Sequence, residues 1–250
     1  MAKKVGAIIQ ARCGSTRLPN KIFAQIAGKP LLEHVIHRLE ACKNLNDIIV
    51  ATTENTVDDT VYDWCINRNC KVFRGSENNV LKRYYDAAKK FKVDVVVRIT
   101  ADNPFKEPFI IDELVNIILK GKHDYVCNNN PPSFPEGLDV EVFTFASLEK
   151  AYLEARGPDE LEHVTPYFYN NPDKFQQFNY KSKKNLTHLR WTIDTKEDLD
   201  FARLVYNDLY SSDKMFLMGD ILRLLCEKPE LLKINQYVKR SLLYRNMKGD

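Results

Sequence analysis

The chain has 250 residues, 44% of them hydrophobic, which suits an α/β domain with a substantial core and excludes a disordered chain. Its 37 basic and 34 acidic residues leave a formal charge of only +3, too even a balance for a whole-domain nucleic-acid footprint. No run of about 18 apolar residues occurs, so nothing is expected to span a membrane. The start, MAKKVGAIIQARCG, has a short apolar run followed at once by Arg12 and Arg17, and reads as a first strand rather than a secretory signal. Six cysteines, at 13, 42, 65, 70, 127 and 226, include no Cys-x-x-Cys and no zinc-ligand spacing. They read as reduced thiols of a cytoplasmic protein.

β-Branched runs predict buried strands at 5–9, 47–51, 71–73, 94–99 and 124–127. Between them, Leu31, Leu32, Val35, Ile36 and Leu39 share one helical face, as do Val80, Leu81, Tyr84, Tyr85 and Ala88. Ile110, Ile111, Leu114, Val115 and Ile118 repeat the same spacing. This alternation predicts an α/β fold, a three-layer sandwich around a mostly parallel sheet. From residue 128 the rhythm changes. NNNPPSFPEG is a turn-rich loop. Leu138, Val140 and Val142 then alternate with Asp139, Glu141 and Phe143, as in a half-buried strand. A helix is expected over 145–155, Pro158 opens another, and strands are expected at 175–180 and 189–193. Thr195 with Asp198 three residues on marks a helix start, and from Lys214 the chain reads as helical and amphipathic. No linker separates two domains. Residues 1–250 therefore read as a single domain, with a lobe over the sheet at about 128–190 for an acceptor, and a helical C-terminal segment at 206–250.

QARCGSTRLPNK follows the first strand, at the edge where ligands bind in open α/β sheets. Gly14, Ser15 and Thr16 let backbone N–H groups face an anion, and Arg12, Arg17 and Lys21 add cations. The loop has neither a Walker pattern nor G-x-G-x-x-G, which disfavours a P-loop NTPase and a dinucleotide dehydrogenase. The competing reading is a solvated turn whose glycine serves a positive φ. Cys13 lies in this loop, but its neighbours suit catalysis better. Asp102 after VVVRIT and Asp194 after LRWTI fall at strand ends on the same edge. Such a pair suits Mg²⁺, which takes one or two carboxylates together with substrate phosphates. The alternative is that each aspartate caps a helix. His34 and His37 share a helix face without a third ligand nearby in sequence, and are not read as a metal site.

AIIQARCGSTRLPNK, with GKPLLEHVIHRL after it, resembles the opening of cytidylyltransferases of the spore coat polysaccharide biosynthesis (SpsF) type, relatives of the CMP-sialate and CMP-ketodeoxyoctonate synthetases. The resemblance continues through RGSENNVLKRYYDAA, VVRITADNPFKEPFIID, GLDVEVF, EHVTPYF and RWTIDTKEDLDFAR, over roughly residues 5–205. It implies a nucleotidyltransferase with a Rossmann-like, glycosyltransferase-A-like sheet. Such an enzyme joins CMP from CTP to a small sugar-like, sugar-acid or phosphate-ester acceptor, releasing pyrophosphate, in the synthesis of cell-surface polysaccharide or other glycans. By the same resemblance Arg12 and Lys21 neutralise phosphates, Asp102 and Asp194 bind Mg²⁺, and Ala11, Gly14, Ser15, Thr16, Arg17, Arg74, Gly75, Ser76, Thr100 and Ala101 line the nucleotide pocket. Asp139, Glu141, Glu162, His163, Arg190 and Thr192 then form the acceptor pocket. The competing reading of Arg74 to Ser76 is a surface turn, and that of Asp139 and Glu141 is plain solvent exposure. Ala101 departs from the glycine often found before the metal aspartate, and no arginine run marks a clamp for a sugar-acid carboxylate. Related enzymes are often dimers, and the terminal helices offer a surface for that. The alternatives are a nucleotide-sugar-using glycosyltransferase, another NTP-sugar pyrophosphorylase, or an inactive binding module. Asp102-Asn103-Pro104 where Asp-x-Asp is usual argues against the first; joint retention of Arg12, Lys21, Asp102 and Asp194 argues against the last.

Overall fold

Uninterrupted apolar strands demand cover on both faces, and the computed structural model, which describes residues 2–240, shows that cover. The strands are β1 (Val5–Gln10), a small ribbon of β2 (Gln25–Ile26) and β3 (Lys29–Pro30), β4 (Asp47–Thr53), β5 (Lys71–Gly75), β6 (Val95–Thr100), β7 (Tyr125–Cys127), β8 (Glu141–Thr144) and β9 (Gln177–Asn179). The helices are α1 (Leu31–Glu40), α2 (Asp59–Asn67), α3 (Val80–Phe91), α4 (Pro108–Leu119), α5 (Phe145–Glu154), α6 (Pro158–His163), α7 (Pro166–Tyr169), α8 (Lys196–Leu209) and α9 (Met218–Glu227). The main sheet has the order β5-β4-β1-β6-β8-β7-β9. Only β8 is antiparallel to its neighbours, β6 and β7.

Alternate strand residues serve two cores. Val95, Val97 and Ile99 pack with α1, α2, α4, α8 and α9, whereas Val96 points to the opposite core of α3, α5 and α7. Each such side chain contributes about 1.5–3 kcal/mol on burial, so a strand with one face wet would forfeit several kcal/mol. This is why the runs are continuous rather than alternating. The three-layer expectation holds.

Other expectations need correction. The strand expected from Leu138 begins only at Glu141, because Leu138 and Val140 turn into the core beside the loop from Asn128. Asn128 Nδ2 donates to Leu138 O at 2.9 Å, and Val140 N donates to Asn128 Oδ1 at 2.7 Å. Residues 189–193 form no strand of the sheet; they are extended, joined by a single bridge between Glu136 and Arg190. Nor do residues 128–190 sit over the sheet as a lobe, since β8 and β9 are woven into it. After α8 the chain is interrupted before α9, and a 3₁₀ turn at Pro229–Lys233 follows. The part of the expected C-terminal helix at 241–250 lies outside the described residues. All six cysteines are free, and among the described residues no helix is long and apolar enough to cross a membrane.

Gly137 marks a close crossing. Glu136 N donates to Leu189 O at 3.0 Å and Trp191 N to Glu136 O at 2.7 Å, which draws two extended segments together. Gly137 has φ +107, and a Cβ there would lie 2.8 Å from Thr192 N and from the Trp191 carbonyl carbon. Gly137→Ala is expected to cost about 2–4 kcal/mol, combining backbone strain with a backbone clash. Chemical denaturation measures this directly; an unchanged midpoint would contradict the crossing.

Candidate active site

β1 pairs with β4 on one side and β6 on the other, so the chain leaves these strands at a point where the sheet order reverses. Gln10, Ala11 and Arg12 emerge beside Thr100, Ala101 and Asp102, tied by a hydrogen bond from Ala101 N to Gln10 O at 3.2 Å. Asp194 reaches the same place without a sheet strand. Ile193 N donates to Asp102 O at 2.9 Å, fixing the extended segment against the end of β6.

The first loop is held from below. Buried Asp58 accepts from Cys13 N at 2.6 Å and from the Thr53 hydroxyl. Ser15 N and Asn20 N both donate to Cys13 O, at 2.8 and 3.1 Å. The left-handed residue of the loop is Asn20 (φ 54), not Gly14, so the positive-φ explanation of that glycine does not apply. Gly14 and Thr16 are exposed on this loop. The Cys13 thiol is buried beside Thr60, and burial raises its pKa, the opposite of an activated nucleophile.

Lys21 is the centre of the site. Its Nζ donates to Asp102 Oδ2, Asp194 Oδ1 and Ile193 O, each at 2.9 Å. Burial disfavours the ammonium, but the two carboxylates outweigh it and its pKa lies above the usual lysine value. Burial likewise opposes the Asp102 charge, and is overcome by Lys21 and Thr100, so Asp102 falls to about 2. Arg17 Nη2 lies 3.1 Å from Asp194 Oδ1 and Arg190 Nη2 lies 3.0 Å from Asp194 Oδ2. Neither aspartate is a helix cap: Thr195 caps α8, and Glu107 precedes α4. Both carboxylates line the cleft and share the Lys21 ammonium, and such a hard-oxygen pair is of the kind that Mg²⁺ takes. Among the described residues no group of three His, Cys, Asp or Glu converges as a metal cage, so such an ion would draw its remaining ligands from phosphate or water.

A cleft of about 440 Å³ opens here and brings together Ala11, Arg12, Asp102, Glu162, His163 and Asp194 from those expected. Gln10, Glu77, Asn78, Val80 and Arg83 also line it. Arg83 carried one legible signal, a charge on the apolar face of α3, where it is buried beside Val80 and Tyr84. Glu77 stands 3.6 Å from Arg12.

The remaining expected residues lie elsewhere. Arg74 turns away: its guanidinium donates to Thr53 O and Asn55 O, and pairs with Asp59 at 2.7 Å. Gly75 and Ser76 shape the turn, with Ser76 O accepting from Arg83 Nη1 at 2.7 Å. Glu141 is only 2% exposed and is paired with Arg98 and Tyr125, so its strand face is not solvent. The Asp139 carboxyl accepts from Gly137 N at 3.3 Å, and burial raises its pKa. Arg190 is fully committed to Glu136, Asp194 and Asp198 with its side chain 3% exposed, so it supports Asp194 from behind instead of meeting an acceptor. Thr192 is buried beside it.

A family model described as cytidylyltransferase matches residues 6–231. An uncharacterised protein of Methanocaldococcus jannaschii is 40% identical over 95% of this chain and 97% of its own. The spore coat polysaccharide biosynthesis protein SpsF of Bacillus subtilis is 32% identical over 80% of this chain and 85% of its own. The solved structure of a cytidylyltransferase from Leptospira borgpetersenii superposes with TM-score 0.88 at 34% identity, covering 96% of this chain and all of that one. Glycosyl transfer from a nucleotide sugar gives way as a reading. The match spans β1 to the turn after α9, every element that builds the cleft, and the chain belongs to the cytidylyltransferase family of nucleotidyltransferases.

Proposed function

We propose that the chain transfers CMP from CTP to a small hydroxylated, anionic or sugar-like acceptor and releases pyrophosphate, in the making of a surface-glycan precursor. The observation that carries this reading is the single ammonium of Lys21 set between Asp102 and Asp194 at the mouth of an anion-ready loop. An acceptor oxygen attacks the α-phosphorus, the bond to the bridging oxygen of the β-phosphate breaks, and the acceptor's proton leaves to solvent. Asp102 and Asp194, with the substrate phosphates, would hold Mg²⁺, which would supply charge neutralisation. The Gly14 and Thr16 amides and Arg12 bind the triphosphate, and Lys21 meets the negative charge that develops on the leaving group. Glu162 and His163 line the cleft at the end of α6, which supports a role for them in orienting the acceptor.

Pyrophosphate release with CTP and a panel of sugar acids, sugar phosphates and polyol phosphates tests the reading. CTP is expected to support turnover far better than UTP, ATP or GTP; a preference for UTP or GTP would assign another pyrophosphorylase class. Asp102→Asn and Asp194→Asn should each lower kcat by about 10²–10³, the range seen when one transition-state stabiliser is removed. Near wild-type turnover of either variant would remove the carboxylate pair from the mechanism. Lys21→Ala should depress kcat without altering the order of nucleotide preference, because a cation on the leaving phosphate acts in the transition state. Altered preference at unchanged kcat would place Lys21 on the base instead.

A further inference from the structure

Asp194 is held from behind by a cluster that reaches into the C-terminal segment. Arg190 donates from Nη2 to Asp194 Oδ2 at 3.0 Å, from Nε and Nη2 to Asp198 at 2.9 Å each, and from Nη1 to Glu136 at 2.8 Å. Asp198 Oδ2 also accepts from Asp194 N at 3.0 Å, so side chain and backbone of Asp194 are gripped together. One guanidinium faces three carboxylates, and the buried oxygens need further donors. Asn235, 4% exposed, gives one: its Nδ2 donates to Asp198 Oδ1 and to Arg190 O, both at 3.0 Å. Arg240 Nε approaches Glu136 at 3.5 Å from the same segment.

We infer that Asn235 is a positioning residue for Asp194, and that the segment after α9 is thereby part of the catalytic apparatus. The amide suits the place because it donates twice and carries no charge. An aspartate would set a further carboxylate against Asp198, and an alanine would leave Arg190 O and one Asp198 lone pair without that donor. The assignment rests on the reading of Asp194 as a carboxylate of the transferase site.

Asn235→Ala and the isosteric Asn235→Asp, made in the full chain, test it. The readouts are kcat and KM for CTP, Mn²⁺ affinity of the CTP-bound enzyme by electron paramagnetic resonance, and thermal midpoint. Asn235→Ala should lose roughly tenfold in kcat, as a slightly misplaced group does, with KM for CTP changed by no more than about twofold and Mn²⁺ bound more weakly. Asn235→Asp should lose more. Unchanged kcat and Mn²⁺ affinity with only a lowered thermal midpoint would overturn the assignment, as would failure of both variants to fold. A wild-type chain that releases no pyrophosphate from CTP would overturn the transferase reading itself, while the Mn²⁺ comparison would still decide whether Asn235 sets Asp194.

Discussion

Two carboxylates at the mouth of a cleft repel one another unless something positive lies between them, and here that is the Lys21 ammonium. The surrounding architecture brings these three groups together. β1 ends in the loop that carries Lys21, β6 ends at Asp102, and the segment crossing Gly137 delivers Asp194. Arg17 and Arg190 add further positive charge around Asp194. With the charges so balanced, the mutual repulsion of the pair is offset within a recessed site.

Buried ion pairs contribute little net stability, since desolvation offsets most of the attraction. The clusters around Arg190 and around Glu141 with Arg98 are better understood through what they fix. Arg190 fixes a site carboxylate. The Arg98–Glu141 pair joins β6 to the antiparallel β8, where both faces of the sheet are covered.

That distinction explains what was legible in the sequence. The strands β1, β4 and β6 stood out because parallel strands buried on both faces read as unbroken β-branched runs. The first loop stood out because cations beside a glycine turn occupy a known edge of the fold. Thr195 and Asp198 stood out as a capping box, which the structure forms. Glu141 is harder to read: alternation shows that a side chain is polar, and says nothing of a partner far along the chain. Glu141 meets Arg98, so a buried pair looks in sequence like a wet face. Arg190 and Arg74, which only the resemblance singles out, meet Glu136 and Asp59, partners far along the chain or on another element. Asn235 carried no signal, because a single amide in an amphipathic tail has no periodicity to break.

The proposed transfer requires Asp102 and Asp194 to act together toward a substrate-bound cation. Anomalous diffraction from crystals soaked with Mn²⁺ and CTP tests this most directly. The predicted result is a Mn²⁺ peak within about 2.2 Å of a carboxylate oxygen of both aspartates and of a triphosphate oxygen. A peak bound by Glu162 or Asp139 instead, with Lys21 still bridging the two aspartates, would contradict it.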